Sequence, residues 1–182
     1  MPLFPVSPPL LKRFDRWAAP ALALLGLGLL LLETRRPPRR TRPRRERWRR
    51  NALLAGPALP AARLTLLPAM LGLAQLASPR YPARQLACLL APLRLGLEVL
   101  VLDYLAHSWH RLLHAPWLWR LHQVQHNDLD IDITTAWRFH FGEMLASIPY
   151  RAGLPALVGI RPVTVLAYEA AFEVGKAFHH SN

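Results

Sequence analysis

Residues 103–143 read DYLAHSWHRLLHAPWLWRLHQVQHNDLDIDITTAWRFHFGE and hold six of the eight histidines: His107, His110, His114, His122, His126 and His140. The remaining two, His179 and His180, come near residue 182. On a helix, residues three and four apart share a face. His107, His110 and His114 therefore form one stripe, and His122 and His126 form a second. Histidine is the commonest protein ligand for transition metals. A single pair would suit a wet surface face. Two pairs in succession, flanked by aromatic residues and apolar helices, point instead to a metal site.

The surroundings of this stretch set the fold class. The chain is 52% hydrophobic, yet it carries a net charge of +12. An ordinary soluble domain does not combine the two. They agree if apolar residues are gathered into membrane helices and charge into the loops, so the expected fold is an all-α, multi-pass membrane bundle with a histidine-rich helical cap. Residues 18–32 are uncharged, and with their flanks they approach the ~20 residues that cross a bilayer. Before them, residues 1–16 suggest an irregular or interfacial lead. A signal peptide is the competing reading of the N-terminus. The missing A-x-A-type site and the arginines that follow favour a retained anchor. Apolar segments over 52–77, 85–106, 144–160 and 163–178 supply further helices. SPRYPAR at 78–84 and Arg161-Pro162 read as turns between them.

Residues 34–50 contain ten arginines and one glutamate. Nothing nearby resembles a base-reading module, so a nucleic-acid partner is not expected. A cytoplasmic loop obeying the positive-inside rule is the plainer account. Counting crossings from that loop places the histidine stretch on the cytoplasmic side. The final hairpin returns His179 and His180 to the same face. The lone Cys88 excludes an intramolecular disulfide and a cysteine-based zinc site, and it is expected only to pack. Residues 1–51 form an anchor and basic loop in this reading, and 52–182 form the membrane domain. The composition, rich in Arg, Ala, Leu and Pro, suggests a GC-rich bacterium and its inner membrane.

Many imidazoles and few carboxylates select a transition metal over calcium or magnesium. Asp128, Asp130 and Asp132 begin like a calcium loop, but Ile133 and Phe139 occupy its glycine and glutamate positions. His110 and His114 have zinc-protease spacing, but Arg111 stands where that motif needs its glutamate base. What remains is redox chemistry at a membrane face. Bilayer-soluble alkyl chains offer only C–H bonds, and breaking one needs a redox metal and activated oxygen.

The runs DYLAHSWHRLLH, LWRLHQVQHNDLDIDITTAWRFHFGE and FHHSN, from about Glu98 to Asn182, resemble the fatty acid hydroxylase / sterol desaturase superfamily. The resemblance implies a membrane-bound non-haem di-iron oxidoreductase of lipid biosynthesis. It would hydroxylate or desaturate fatty acyl or sterol-like lipids with O2 and an unidentified electron donor. The first histidine box, HxxxH, falls on His110 and His114. The second falls on His122, Gln125 and His126, and His180 matches a later single histidine. His140 matches an RFH element and is a further candidate ligand. Two departures matter. Gln125 stands where the family has a histidine, and the family's last HxxHH box is not present by Asn182. A truncated chain with an incomplete di-iron ligand set is the resulting expectation. The alternative is a catalytically impaired or fragmentary member acting as a non-enzymatic membrane protein. His107 reads as a neighbour of the site. Asp103, Asp130 and Glu143 read as candidates to orient imidazole N–H groups. Trp109, Trp117, Trp119 and Trp137 read as an interfacial belt and pocket wall.

Overall fold

The computed structural model describes residues 8–35, 43–77 and 89–181, with side chains from Lys12 onward. Cys88 and the turn at 78–84 lie outside the described residues. Among those described there is no strand, as the all-α expectation required. Helix α1 spans Pro8–Arg35. It begins inside the stretch expected to be irregular and continues through Pro20, Gly26 and Gly28. Helix α2 spans Arg44–Ala61, passes through a wide π-helical turn at Ala62–Leu66, and continues as α3, Leu67–Ala77. The wide turn lies just after Pro57 and Pro60 and just before Pro68. A proline ring crowds the carbonyl four residues earlier, and a locally widened turn accommodates that crowding without ending the helix.

The basic run is therefore not simply a loop. Its second half is the first two turns of α2, and one member, Arg47, is 2% exposed. Position 51 falls within the same continuous helix.

Two helices among the described residues are long and apolar enough to cross a membrane, Lys12–Arg35 and Arg44–Ala77. Only 6% of the apolar window in the first is buried inside the protein, against 33% in the second. Exposed apolar surface of that extent marks a site of contact with a membrane or a protein partner. Leu24, Leu27, Leu31 and Leu32 all face outward from it.

Helix α4 spans Ala91–Leu113 and is longer toward the histidines than the apolar run 85–106 suggested. It carries Arg94, Glu98 and Asp103, so it adds no third helix of the same apolar kind. A two-residue turn leads to α5, Pro116–His126. A 3-10 turn at Ile133–Trp137 and the short helix α6, Phe141–Ala146, follow. The expected apolar segment 144–160 is broken. A π-helical turn at Pro149–Gly153 joins α7, Leu154–Val158, which ends at Gly159 with φ 77°. A side chain at Gly159 would be strained in this left-handed conformation. Helix α8, Pro162–His180, packs against α1, α3 and α4. Leu66, Met70 and Leu71 meet Leu102, Met144, Ile160, Val165 and Leu166 in the main core.

Glu98 pins the hairpin turn. It is 1% exposed and accepts from Arg94 Nε at 3.0 Å, from Arg161 Nε at 2.9 Å, and from the Thr164 hydroxyl. The Arg94 pair was legible as i,i+4 spacing; the Arg161 partner, 63 residues on, was not. Glu98→Ala is expected to destabilise the protein by about 3 kcal/mol, because two partly buried guanidiniums and the Thr164 hydroxyl lose the buried carboxylate they share. Unfolding in mixed micelles checks this, and a loss below about 1 kcal/mol would show the cluster to be solvated.

Candidate metal centre

The geometry of the site begins with the corner between α4 and α5. His114 closes α4, its N–H bonded to the Arg111 carbonyl at 3.2 Å. Ala115 is extended and Pro116 starts α5, where proline's fixed φ suits the first helical turn and its missing N–H costs nothing. The two helices fold back on each other with their histidine stripes facing. His110, His114, His122 and His126 offer ligand atoms that all lie within 4.8 Å of one another. The Nε2 atoms of His110 and His114 are 3.3 Å apart, and those of His122 and His126 are 3.0 Å apart.

His122 is fully buried. Its Nδ1 lies 3.3 Å from the Glu143 carboxylate, itself 2% exposed. That carboxylate favours the tautomer with the proton on Nδ1, leaving the Nε2 lone pair directed at the cluster. Of the three carboxylates expected to orient imidazoles, Glu143 alone does so among the bonds seen. Asp103 instead accepts from the Tyr168 hydroxyl at 3.2 Å, and Asp130 pairs with Arg47.

Partial burial lowers the His110 pKa to about 4, assisted by repulsion from His122, His114, His126 and His107. His126 is lowered for the same reasons, burial first and then His122, His114 and His180. Both rings are accordingly neutral at pH 7, the form that donates a lone pair to a metal. Four imidazoles brought together fit a transition-metal ion by the chemistry of the donor set. The indole of Trp119 stacks on His126 with centroids 5.6 Å apart and walls the cluster. Trp109 is buried against Tyr150, Trp117 is exposed, and Trp137 lies near Gly26.

The other candidates sit outside this group. His180 contacts the Lys176 carbonyl through Nδ1 at 2.8 Å. Nδ1 donates to that carbonyl, so in the neutral ring the lone pair lies on Nε2. It is close enough to bear on His126 electrostatically. His140 caps α6 by accepting the Gly142 N–H at 3.1 Å through Nδ1. In the neutral ring this leaves its proton on Nε2 and its available lone pair occupied. A Cβ at Gly142 would approach that nitrogen to 3.0 Å, so glycine suits the cap. Gln125 lines the cavity beneath the cluster together with His179 and His180. His107 is exposed.

The segment after α5 is held by a buried ionic network. Arg47 meets Asp132, with Asp128 and Asp130 each at 3.9 Å. Arg138 donates through Nε to the Val124 carbonyl at 2.8 Å, bonds Asn51 at 2.9 Å, and lies 3.3 Å from Asp128. Ile133 N–H donates to the buried Glu33 carboxylate. The alternating aspartates that failed as a calcium loop are thus an arginine receptor. Arg138 ties the turn of α5 between His122 and His126 to α2.

A cavity of about 720 Å³ opens from the cluster. Its walls include His110 and His122 at one part and Tyr168, Phe172 and Leu166 at others. The size suits a small molecule or a lipid chain.

Residues 95–182 match the family described as fatty acid hydroxylase. No curated protein and no solved structure matches the chain.

Proposed function

We propose, from the match of residues 95–182 to the fatty acid hydroxylase family, that this protein is a membrane-embedded oxidoreductase acting with iron and O2 on a lipid C–H bond. The observation that carries the reading is the convergence of His110, His114, His122 and His126, two of which, His110 and His122, line a largely apolar cavity. The four imidazoles would hold the metal, and Glu143 would fix the His122 ring. Iron bound there would supply the redox chemistry that activates O2. The cavity walls exclude water and hold the alkyl chain beside the cluster. His180, which bears on His126 electrostatically, is a further candidate ligand.

Supplying the purified, iron-loaded protein with reductant, lipid extract and isotopically labelled O2 tests the function. A hydroxylated product carries one labelled oxygen, and a desaturated product carries none. A second reading, a family member without activity, is favoured by Gln125 and by the cluster's small donor set. Absence of either product from an iron-loaded sample would select it.

Metal content separates these possibilities further. Elemental analysis of detergent-purified protein is expected to give fewer than two tightly bound irons per chain, because the clustered ligand atoms suffice for one ion. Two tightly bound irons would show that His180, His140 or Gln125 completes a second site.

Multi-pass topology with the histidines in the cytoplasm belongs to the same proposal. The contact of Arg47 with Asp132 supports a shared side for the basic run and the histidine stretch. Single cysteines at Arg45→Cys and Asn127→Cys, in a Cys88→Ala background, are expected to label from the same side of sealed vesicles. Labelling from opposite sides would overturn this topology.

A further inference from the structure

The arginines that open α2 divide by face. Arg47 turns inward to Asp132, and Arg50 pairs with Glu46 at 2.5 Å. Arg44 lies over the Trp48 ring, 5.6 Å from its centroid. Arg45 and Arg49 are exposed, and neither has a carboxylate partner among the described residues. Four residues apart, they share one face of α2, about 6 Å from each other along its axis.

That face continues without a break into apolar residues. Leu53, Gly56 and Pro60 follow at nearly the same helical angle, with Ala52 and Leu59 beside them, and all of these are exposed. Gly56 has no side chain, and a Cβ there would meet nothing within 4 Å. It leaves a shallow notch between Leu53 and Pro60. The buried Arg47, Asn51 and Ala58 mark the opposite face and fix the rotation of the helix. The cationic first two turns are about 10 Å long, enough to span the polar layer on one side of a bilayer, about 5–7 Å. A cationic pair followed by an apolar strip matches, in order, the head group and acyl chain of one phospholipid.

We propose that this face of α2 binds an anionic membrane phospholipid, its phosphate between Arg45 and Arg49 and an acyl chain lying over Gly56. Guanidinium suits phosphate because its N–H donors meet the phosphate oxygens in pairs. The site lies outside the cavity and outside the histidine cluster. Its helix is the one that Arg47 ties to the aspartates after His126, so the lipid binds the element that braces the metal centre. The inference rests on reading the protein as membrane-embedded.

The test is electron paramagnetic resonance of phosphatidylglycerol and phosphatidylcholine, each spin-labelled near the end of one acyl chain, in phosphatidylcholine vesicles that hold the full chain. The motionally restricted fraction measures lipid held against protein. Phosphatidylglycerol is expected to be held at least about threefold more strongly than phosphatidylcholine, through the attraction of two surface arginines. The preference should shrink in about 1 M salt, which screens exposed charge. Arg45→Gln with Arg49→Gln should bring the ratio to about one. Arg39→Gln with Arg40→Gln removes the same charge from the run before α2, and should leave at least about a twofold preference. The restricted phosphatidylcholine fraction should stay unchanged in both double variants, which also reports that they fold. Equal loss of preference in the two would overturn the proposal, because the run would then act through total charge alone. A single-stranded oligonucleotide that binds the vesicles through Arg45 and Arg49 and displaces phosphatidylglycerol would overturn it equally. No preference in the parent would overturn this inference and leave the membrane reading standing. No restricted fraction of either lipid would overturn both.

Discussion

His122→Ala is expected to lower the chain's metal affinity by at least about a hundredfold, since losing even an outer hydrogen-bond partner of a ligand typically costs 10–100-fold. His122 is the one buried member of the four-histidine group. It touches both the Glu143 carboxylate and the His126 ring. Removing it takes away a donor and leaves Glu143 buried without its partner. Glu143→Gln should have a smaller effect, about tenfold, because the amide can still accept from Nδ1 but supplies no charge. Titration with Co(II), followed by its visible absorption, measures both variants against the parent. His140→Ala serves as the comparison. Its ring caps α6 outside the group, so it should leave the absorption spectrum unchanged. If His122→Ala binds Co(II) as the parent does, the four histidines are not the metal site.

Arg47→Met is expected to destabilise the protein by about 3–5 kcal/mol, the loss seen when one partner of a buried ion pair is removed. Methionine roughly preserves the apolar stem and packing, so the change isolates the charge. Asp128, Asp130 and Asp132 would lose the guanidinium they surround. Arg138 would still reach Asp128 but not the other two. Arg49→Met and Arg50→Met, on the exposed side of the same helix, should change stability by less than about 0.5 kcal/mol, as surface changes usually do. Unfolding midpoints in mixed micelles decide the matter. Three similar values would mean that the basic run acts only through its total charge.

How far the sequence could be read follows from the range of each interaction. The four-histidine cluster was legible because its parts are local. Each pair is fixed by helical spacing, and only the corner at Ala115-Pro116 had to bring the pairs together. The Glu143 partner was foreseeable as an orienting carboxylate, although Asp103 and Asp130 looked equally suitable. What separates them is tertiary position, which spacing does not encode. Arg47 was hidden among ten arginines. Its partner Asp132 lies 85 residues away, and nothing local distinguishes it from Arg45 or Arg49. His140 resembled a ligand by its place in RFH, yet it meets the nearest backbone donor, at Gly142. The two helices long and apolar enough to cross a membrane, Lys12–Arg35 and Arg44–Ala77, were legible from hydropathy. Wide turns beside prolines and buried charges shape the segments that follow.

The Arg47 contact also bears on which part of the chain is modular. The family match begins at residue 95, so it contains all three aspartates and lacks the arginine that neutralises them. A protein made of the matched segment alone would keep every clustered histidine and lose a buried counter-charge beside them. Transplanting the histidine segment onto another membrane scaffold should therefore fail unless the first turns of α2 travel with it. Recombination between relatives meets the same constraint. A crossover between α2 and α4 separates a receptor from its cation, so exchanges that preserve function must carry both or neither.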